Sequence, residues 1–183
     1  MASVSQSFVE PYAEALMGVA KSQNLVEEFG DNVQWVLTAL NVSTELKTFL
    51  ASPLVKRETK KDLIRKAIAN QVNPSMLNFL LLLVDRQRVV FLEPICLRFQ
   101  QMLRDLNRVA LAEVTSAVQL SDTQAESLKQ KVLSLTNCHS VELVTKVNPD
   151  LIGGVIVKVG SKIIDASIRG QLRRLATSLS AGI

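Results

Sequence analysis

The chain has 183 residues, of which 48% are hydrophobic, 21% are charged and 4% are aromatic, and its formal net charge is +4. This length allows one large domain or two small ones, and the apolar fraction is ample for a mainly aliphatic core. The small positive charge argues against a dedicated nucleic-acid binder, because such proteins often carry a stronger and more clustered excess.

Two further features limit the class of protein. The longest apolar run, Phe79–Val84, is far shorter than the ~20 residues that span a bilayer, so no membrane-spanning helix is expected. The two cysteines, Cys96 and Cys138, are distant in sequence and belong to no Cys-x-x-Cys pair. A disulfide framework is therefore not expected, and a reducing compartment fits the chain.

The first 106 residues have the pattern of one helix after another. Apolar residues recur every three or four positions from Phe8 to Val19, from Phe29 to Leu40 and from Leu92 to Leu106, which is helical periodicity. Pro11 is expected near the start of the first helix, where a missing N–H is tolerated. The pattern predicts a helical bundle with an aliphatic core.

Two stretches of this half stand out. The segment from Met76 to Val84 is apolar on every side of a helix, and such a helix is either buried all round or covers a partner with one face. The segment from Lys56 to Asp62 is rich in charge. A polyanion contact and a solvated helix face are both compatible with it, and the solvated face is favoured.

The periodicity changes near Asn107. Alternating apolar and polar residues predict one strand around Val114–Leu120 and another at Val141–Val147. Between them, Ser121-Asp122-Thr123-Gln124 has the form of a capping box that opens a helix.

A hairpin and a basic helix end the chain. Val155–Val159 has strand periodicity, and Gly160-Ser161 is typical of a tight hairpin turn. Ser167 is a candidate N-cap for the last helix. Its apolar stripe is Ile168, Leu172, Leu175 and Leu179, and Arg169, Arg173 and Arg174 fall largely off that stripe, facing solvent or a partner. The order of elements in this half is β-α-β-β-β-α.

The sequence offers no catalytic chemistry. His139 is the only histidine, and it has neither the three or four convergent ligands of a metal site nor the partners of a catalytic triad. Gly153-Gly154 precedes a strand, whereas a phosphate loop follows a strand and opens a helix. We therefore predict a binding protein without catalytic, cofactor-binding or metal-binding residues.

Several motifs resemble one family. Leu151–Val155, Ile164-Asp165 and Ser167–Leu172 closely resemble the C-terminal signature of the delta subunit of F-type ATP synthase, whose mitochondrial relative is the oligomycin-sensitivity-conferring protein. Further motifs of that family have counterparts along nearly the whole chain, at Pro11–Leu16, Phe49–Pro53 and Asn78–Val89. The sequences of Leu111–Ala117 and Arg169–Arg174 resemble those of the cyanobacterial and chloroplast branch of the family.

The resemblance implies a mostly helical α+β fold. Residues 1–106 are then a six-helix bundle seated on the catalytic head, and residues 107–183 are a small α+β domain that contacts the peripheral stalk. A groove between the first and fifth helices is implied to take amphipathic N-terminal helices of alpha subunits. The residues carried over to that groove are Tyr12, Ala15, Leu16, Val19, Leu77, Leu80, Leu81, Val84 and Arg88. Arg169, Arg173 and Arg174 are the candidate contacts to the b-type stalk subunits.

The implied role is that of a non-catalytic stator subunit, which resists rotor torque during proton-driven ATP synthesis. The family resemblance implies one copy per complex, a monomer in isolation, no cofactor, no nucleic acid and no direct membrane insertion. The implied location is peripheral, on the cytoplasmic (stromal-equivalent) face of the thylakoid or plasma membrane.

An RNA-binding module is the alternative, because small α+β domains with exposed arginines often bind RNA. Against it, Tyr12 and Trp35, which could stack on bases, both lie in the helical half, and a G-x-x-G loop is missing.

Overall fold

The structure, a computed structural model, describes residues 2–68, 71–136 and 138–180. The chain divides into two compact units, residues 1–103 (unit 1) and residues 104–183 (unit 2). The predicted class, a mostly helical α+β protein, is confirmed.

Unit 1 is built from six helices and one 3-10 turn. The turn, Val89–Phe91, lies between the fifth and sixth helices. The helices are α1 (Ala2–Ser22), α2 (Val26–Val42), α3 (Thr44–Ala51), α4 (Arg57–Ile68), α5 (Pro74–Asp85) and α6 (Leu92–Asn107), and the division between the units falls within α6.

The core of unit 1 combines aliphatic side chains with two phenylalanines. Phe29 of α2 and Phe99 of α6 are fully buried, together with Ile64 of α4 and Met76 of α5. Each such side chain contributes about 1.5–3 kcal/mol through its removal from water, so helices with low intrinsic stability hold together through this shared core.

Polar residues define where several of these helices begin. The Ser43 hydroxyl accepts a hydrogen bond from the Leu46 N–H over 3.1 Å. The Asn73 side-chain oxygen accepts one from the Ser75 N–H over 2.8 Å, and Pro74 occupies the first helical position, where it needs no N–H. These caps satisfy N–H groups that the helix itself leaves without acceptors.

The position predicted for Pro11 is wrong. Helix α1 already begins at Ala2, so Pro11 lies in its interior. Pro11 is exposed, and water can therefore solvate the carbonyl that loses its N–H donor.

Unit 2 has the predicted order β-α-β-β-β-α. The elements are β1 (Val109–Ser116), α7 (Asp122–Leu135), β2 (Ser140–Val147), β3 (Val155–Val159), β4 (Lys162–Asp165) and α8 (Ile168–Ser180). The sheet order is β2-β1-β3-β4, with β1 parallel to β2 and antiparallel to β3, and β3 antiparallel to β4. Helix α7 supplies the crossover that a parallel pair needs.

Helix α7 packs on one face of this sheet. Val132 of α7 is buried with Ala112 and Val114 of β1 and Val157 of β3. The predicted capping box is present, because Ser121 and Gln124 exchange side-chain to backbone hydrogen bonds. Gly160-Ser161 forms the predicted turn between β3 and β4, and Gly160 has a φ of +57°.

The predicted bounds of the first strand are wrong. Strand β1 begins at Val109 and ends at Ser116, and its pairs with β2 and β3 also end at Ser116. Val118, which alternation placed in the strand, is 70% exposed in the connection to α7. Strand pairing rather than local alternation sets this boundary.

Asp165 organises the start of α8. Its Oδ1 accepts hydrogen bonds from the Ser167 N–H over 3.0 Å and from the Ser167 hydroxyl over 2.6 Å. The same hydroxyl oxygen accepts from the Gly170 N–H over 3.0 Å, which confirms Ser167 as the N-cap. The Ser167 hydroxyl and then its N–H hold the pKa of Asp165 below its usual range, with help from Arg174 and Arg173 and against the effect of burial.

A pair of glycine substitutions tests this arrangement. A Cβ at Gly170 would overlap the Asp165 carboxylate, whereas a Cβ at Gly18, within α1, would meet nothing within 4 Å. We expect Gly170→Ala to destabilise unit 2 by about 1–3 kcal/mol, because the close packing must open. We expect Gly18→Ala, the control, to stabilise unit 1 by about 0.5–1 kcal/mol through helix propensity. Amide hydrogen exchange resolved by peptide measures both, and equal stability of Gly170→Ala and the wild type contradicts the assignment.

The Asp165 cluster also predicts a dependence on acid. Because the pKa of Asp165 is lower in the folded state than its ordinary value of 3.8, its stabilisation is complete above that value and is lost as the pH falls through the folded pKa. The free energy of unfolding of unit 2 should fall as the pH drops below 3.8, the ordinary pKa of this group. We expect that fall to be less steep in Asp165→Asn. Urea unfolding at a series of pH values measures this slope. Asp105→Asn, at an exposed position, is the control, and an unchanged slope in Asp165→Asn contradicts the prediction.

Candidate docking surfaces

Two contacts define the faces along which α1 and α5 meet. The rings of Tyr12 and Phe79 meet edge-on, with 6.3 Å between their centroids. Further along, the Gln23 side-chain nitrogen donates to the Ser75 hydroxyl over 3.1 Å. Tyr12 lies in α1, Gln23 lies just beyond its last residue, and Ser75 and Phe79 are about one turn apart on α5. One face of α5 therefore contacts both α1 and the turn that follows it.

Exposed apolar residues border this contact. Val19 is 39% exposed and lies about one turn before Gln23, while Leu82 is 44% exposed and lies about one turn after Phe79. Ala15, one turn before Val19, is also exposed. We call Ala15, Val19, Phe79 and Leu82 the α1–α5 surface.

Three of the predicted groove residues belong to the core instead. Leu16 and Leu80 are each 1% exposed, and Val84 is 2% exposed. They hold the bundle together and present no surface to a partner in this structure.

Two more predicted residues lie on another side of α5. Leu77 and Leu81 each stand two residues from Phe79, which places them about 200° away around the helix. Both are partly buried against the core. The sequence run is apolar on every side, so it could not show that Phe79 lies on the face that meets α1. Phe79 is four residues after Ser75, so the two lie on the same side of α5, and only their contacts identify that side.

The remaining predicted residue of this helix region, Arg88, ties α1 to the corner after α5. Its guanidinium donates to the Tyr12 hydroxyl over 2.7 Å and lies 4.4 Å from the Phe8 ring centroid and 5.2 Å from that of Tyr12. The Phe8 and Phe91 rings are 6.1 Å apart. A cation over aromatic rings stabilises by about 0.5–2 kcal/mol, so Arg88 fixes one end of the α1–α5 contact.

Helix α1 is also tied to α6. The Arg98 guanidinium donates to both oxygens of Glu10, over 2.7 and 2.6 Å. These hydrogen bonds, and the positive charge of Arg98, hold the pKa of Glu10 below its usual range against the effect of burial. Polar contacts therefore hold α1 to two neighbours, the corner after α5 and helix α6.

In unit 2, the apolar stripe of α8 is exposed where the structure describes it. Ile168 is 43% exposed and Leu172 is 54% exposed. The side chains of Leu175 and Leu179 lie outside the described part of the chain. We call Ile168 and Leu172, with the exposed Arg169 and Arg173 beside them, the α8 surface.

The three predicted arginines differ in their surroundings. Arg169 is exposed. Arg173 is more than three-quarters exposed, with a terminal nitrogen 3.8 Å from Asp165 Oδ2. Arg174 donates to the Asp165 carbonyl oxygen over 3.3 Å and so belongs partly to the cap of α8. Arg169 and Arg173 are one helical turn apart on the flank of the apolar stripe.

Side chains that could ligate a metal or act as nucleophiles were the remaining candidates for chemistry among the described residues. Within residues 2–68, 71–136 and 138–180, no three His, Cys, Asp or Glu side chains come together as a metal site. His139 is exposed. Burial raises the pKa of the Cys96 thiol to about 12, which keeps it in the unreactive protonated form.

None of the described helices is both long and apolar enough to cross a membrane.

Comparison with a solved structure agrees with the fold described above. A chain of the cryo-EM structure of the Toxoplasma gondii mitochondrial ATP synthase hexamer superposes with a TM-score of 0.75, covering 94% of this chain and 97% of that one. The two sequences are 22% identical, so this similarity concerns the fold.

Sequence comparisons give a closer relation. The family described as ATP synthase delta (OSCP) subunit matches residues 9–179. ATP synthase subunit delta of Cyanothece sp. is 51% identical over 179 residues, covering 98% of this chain and 97% of that protein. Subunit delta of Trichormus variabilis is 52% identical over 171 residues, with 93% of each chain covered. The chain therefore belongs to the ATP synthase delta (OSCP) subunit family, and it is a non-catalytic subunit of that complex.

Proposed function

We propose that this chain connects the top of the catalytic head to the b-type peripheral stalk of a proton-translocating ATP synthase. In this proposal unit 1 binds the amphipathic N-terminal helix of an alpha subunit, and unit 2 binds the end of the stalk. Family membership supports the stator role, and the observation that carries the division of labour is that each unit leaves apolar side chains exposed along a helix. The protein thereby holds the head against the torque of the rotor.

The assembly around the chain is part of the same proposal. We place the functional boundary between residues 106 and 107, with one copy per complex and a monomer in isolation. The chain lies peripherally on the cytoplasmic (stromal-equivalent) face of the thylakoid or plasma membrane. The cyanobacterial relatives support this location.

The α1–α5 surface supports the alpha-subunit contact. An amphipathic helix presents an apolar residue about every three to four positions, and it buries them by lying in an apolar groove. Val19 and Leu82 supply exposed apolar area on the two sides of the contact between α1 and α5. Arg88 and Tyr12 hold the two helices together at one end, so the surface is formed before a partner arrives.

The α8 surface supports the stalk contact. Ile168 and Leu172 offer an apolar strip, and Arg169 and Arg173 add positive charge beside it. Residues 141–183 contain six Lys or Arg and three Asp or Glu. An acidic and partly apolar helix end is the partner that this combination fits.

Substitutions on the α1–α5 surface test the first contact. We expect Val19→Asp and Leu82→Asp each to weaken binding of a synthetic alpha-subunit N-terminal peptide to the full chain by about tenfold or more, because a charge then faces the apolar side of the peptide. Isothermal titration calorimetry measures the affinity. Leu97→Asp is the matched control, since Leu97 on α6 is 52% exposed. Wild-type affinity in Val19→Asp and Leu82→Asp would show that the peptide binds elsewhere.

A second set of variants tests the stalk contact. We expect Leu172→Asp, and separately the double variant Arg169→Glu with Arg173→Glu, to weaken binding of the b-type subunits by about tenfold or more while alpha-peptide binding stays unchanged. Val118→Asp, at a position 70% exposed in unit 2, is the control. Surface-immobilised stalk subunits with the full chain in solution give both affinity and salt dependence. Loss of both contacts in one variant contradicts the division into two surfaces.

A further inference from the structure

A cavity of about 380 Å³ lies where the connection between α3 and α4 meets the corner after α5. Lys56, Arg57 and Lys60 form one part of its lining. Val55 and Val90 are among the apolar residues of the remainder. The cavity is therefore positive on one side and apolar on another.

Lys60 is the unusual member of this lining. It is only 8% exposed, whereas the sequence favoured a solvated helix face for this stretch, and that prediction is wrong for Lys60. Its Nζ donates to the Leu50 carbonyl oxygen over 2.6 Å. An ammonium carries three donors, and no carboxylate of the described chain pairs with this one. A buried charge without a counter-charge is costly, so an anionic group completes this environment best.

The neighbouring charges strengthen the positive field. Lys56 and Arg57 are exposed and also form no ion pair within the part of the chain that the structure describes. The next lysine, Lys61, behaves differently, because it pairs with Asp85 of α5. Three cations without carboxylate partners thus converge on the cavity, while the adjacent one is neutralised.

Apolar side chains project beside the cavity. Leu54, between the lining residues Pro53 and Val55, is 93% exposed. Val90, across the cavity lining, is 58% exposed. The connection is not featureless, since the Leu54 N–H donates to the Ser52 hydroxyl over 3.3 Å. Large exposed apolar side chains next to a shaped cavity are typical of a protein contact.

We propose that this cavity takes an aspartate or glutamate side chain of a protein partner, whose neighbouring aliphatic residues cover Leu54 and Val90. A free oxyanion would use the cations alone and leave the two apolar side chains in water, so the combination favours a protein segment. The assignment of this partner to the catalytic head rests on the proposed head-binding role of unit 1. The site shares no residue with the α1–α5 surface, so it is a second contact of that unit.

The experiment measures binding of the full chain to the catalytic head purified without this subunit. We expect Lys60→Met and Leu54→Asp each to weaken binding about tenfold, and Lys60→Met to reduce its salt dependence. Lys66→Met is the matched control for charge on α4, because Lys66 is exposed. Val42→Asp is the control for an exposed apolar side chain, because Val42 is 82% exposed. Leu54→Asp keeps the test valid if Lys60→Met fails to fold.

Three further measurements separate the outcomes. Binding of the alpha-subunit N-terminal peptide is expected to stay unchanged in Lys60→Met and Leu54→Asp. If the wild type itself does not bind the peptide, the proposed function is refuted, whereas this inference is not. A photo-crosslinker in place of Leu54 in the assembled complex should attach to a segment that contains Asp or Glu. Wild-type head affinity in both variants overturns the proposal. Sodium acetate or phosphate can also be titrated into the chain, with binding near Lys60 followed by nuclear magnetic resonance. If the anion saturates that region and the affinity for the head does not change, the proposal is overturned.

Discussion

A helix with 3.6 residues per turn cannot bury a continuous apolar run on one side of a bundle. The run in α5 therefore divides: Leu80, Leu83 and Val84 enter the core, and Leu82 is left at the surface. Single exposed apolar side chains are common on protein surfaces, so the exposure of Leu82 alone does not define a binding site. Leu82 and Val19 of α1 are the exposed apolar residues on which the proposed alpha-subunit contact rests.

Unit 2 also has one helix that packs on its core and one helix with exposed apolar residues. Helix α7 covers one face of the sheet, and Val132 fills the centre of that contact with Val114 and Val157. Helix α8 is anchored through its first turn, so Ile168 and Leu172 stay exposed although their spacing is that of an inward face. The proposed stalk contact rests on these two exposed residues of the amphipathic stripe.

The sequence predicted the fold better than the surfaces, and the reason is physical. Caps such as Ser121 and Ser167 are local interactions, and a hairpin turn at Gly160 depends on adjacent residues, so both are visible in a short window. The end of β1 depends on pairing with β2 and β3, which lie far along the chain. Likewise, only contact with α1 distinguishes the Phe79 side of α5 from the Leu81 side. Residue type alone therefore does not distinguish the faces of an apolar helix, and the assignment of docking residues stays a prediction.

A stator subunit has no chemistry of its own, so its physical requirement is surfaces that are ordered before binding. The conformational entropy lost on docking is smaller when side chains and helix ends are already fixed. Asp165 and Ser167 fix the first turn of α8 directly beneath Ile168. Arg88 and Tyr12 likewise fix α1 against the α5 corner. In both units a polar contact next to the exposed apolar residues supplies this order.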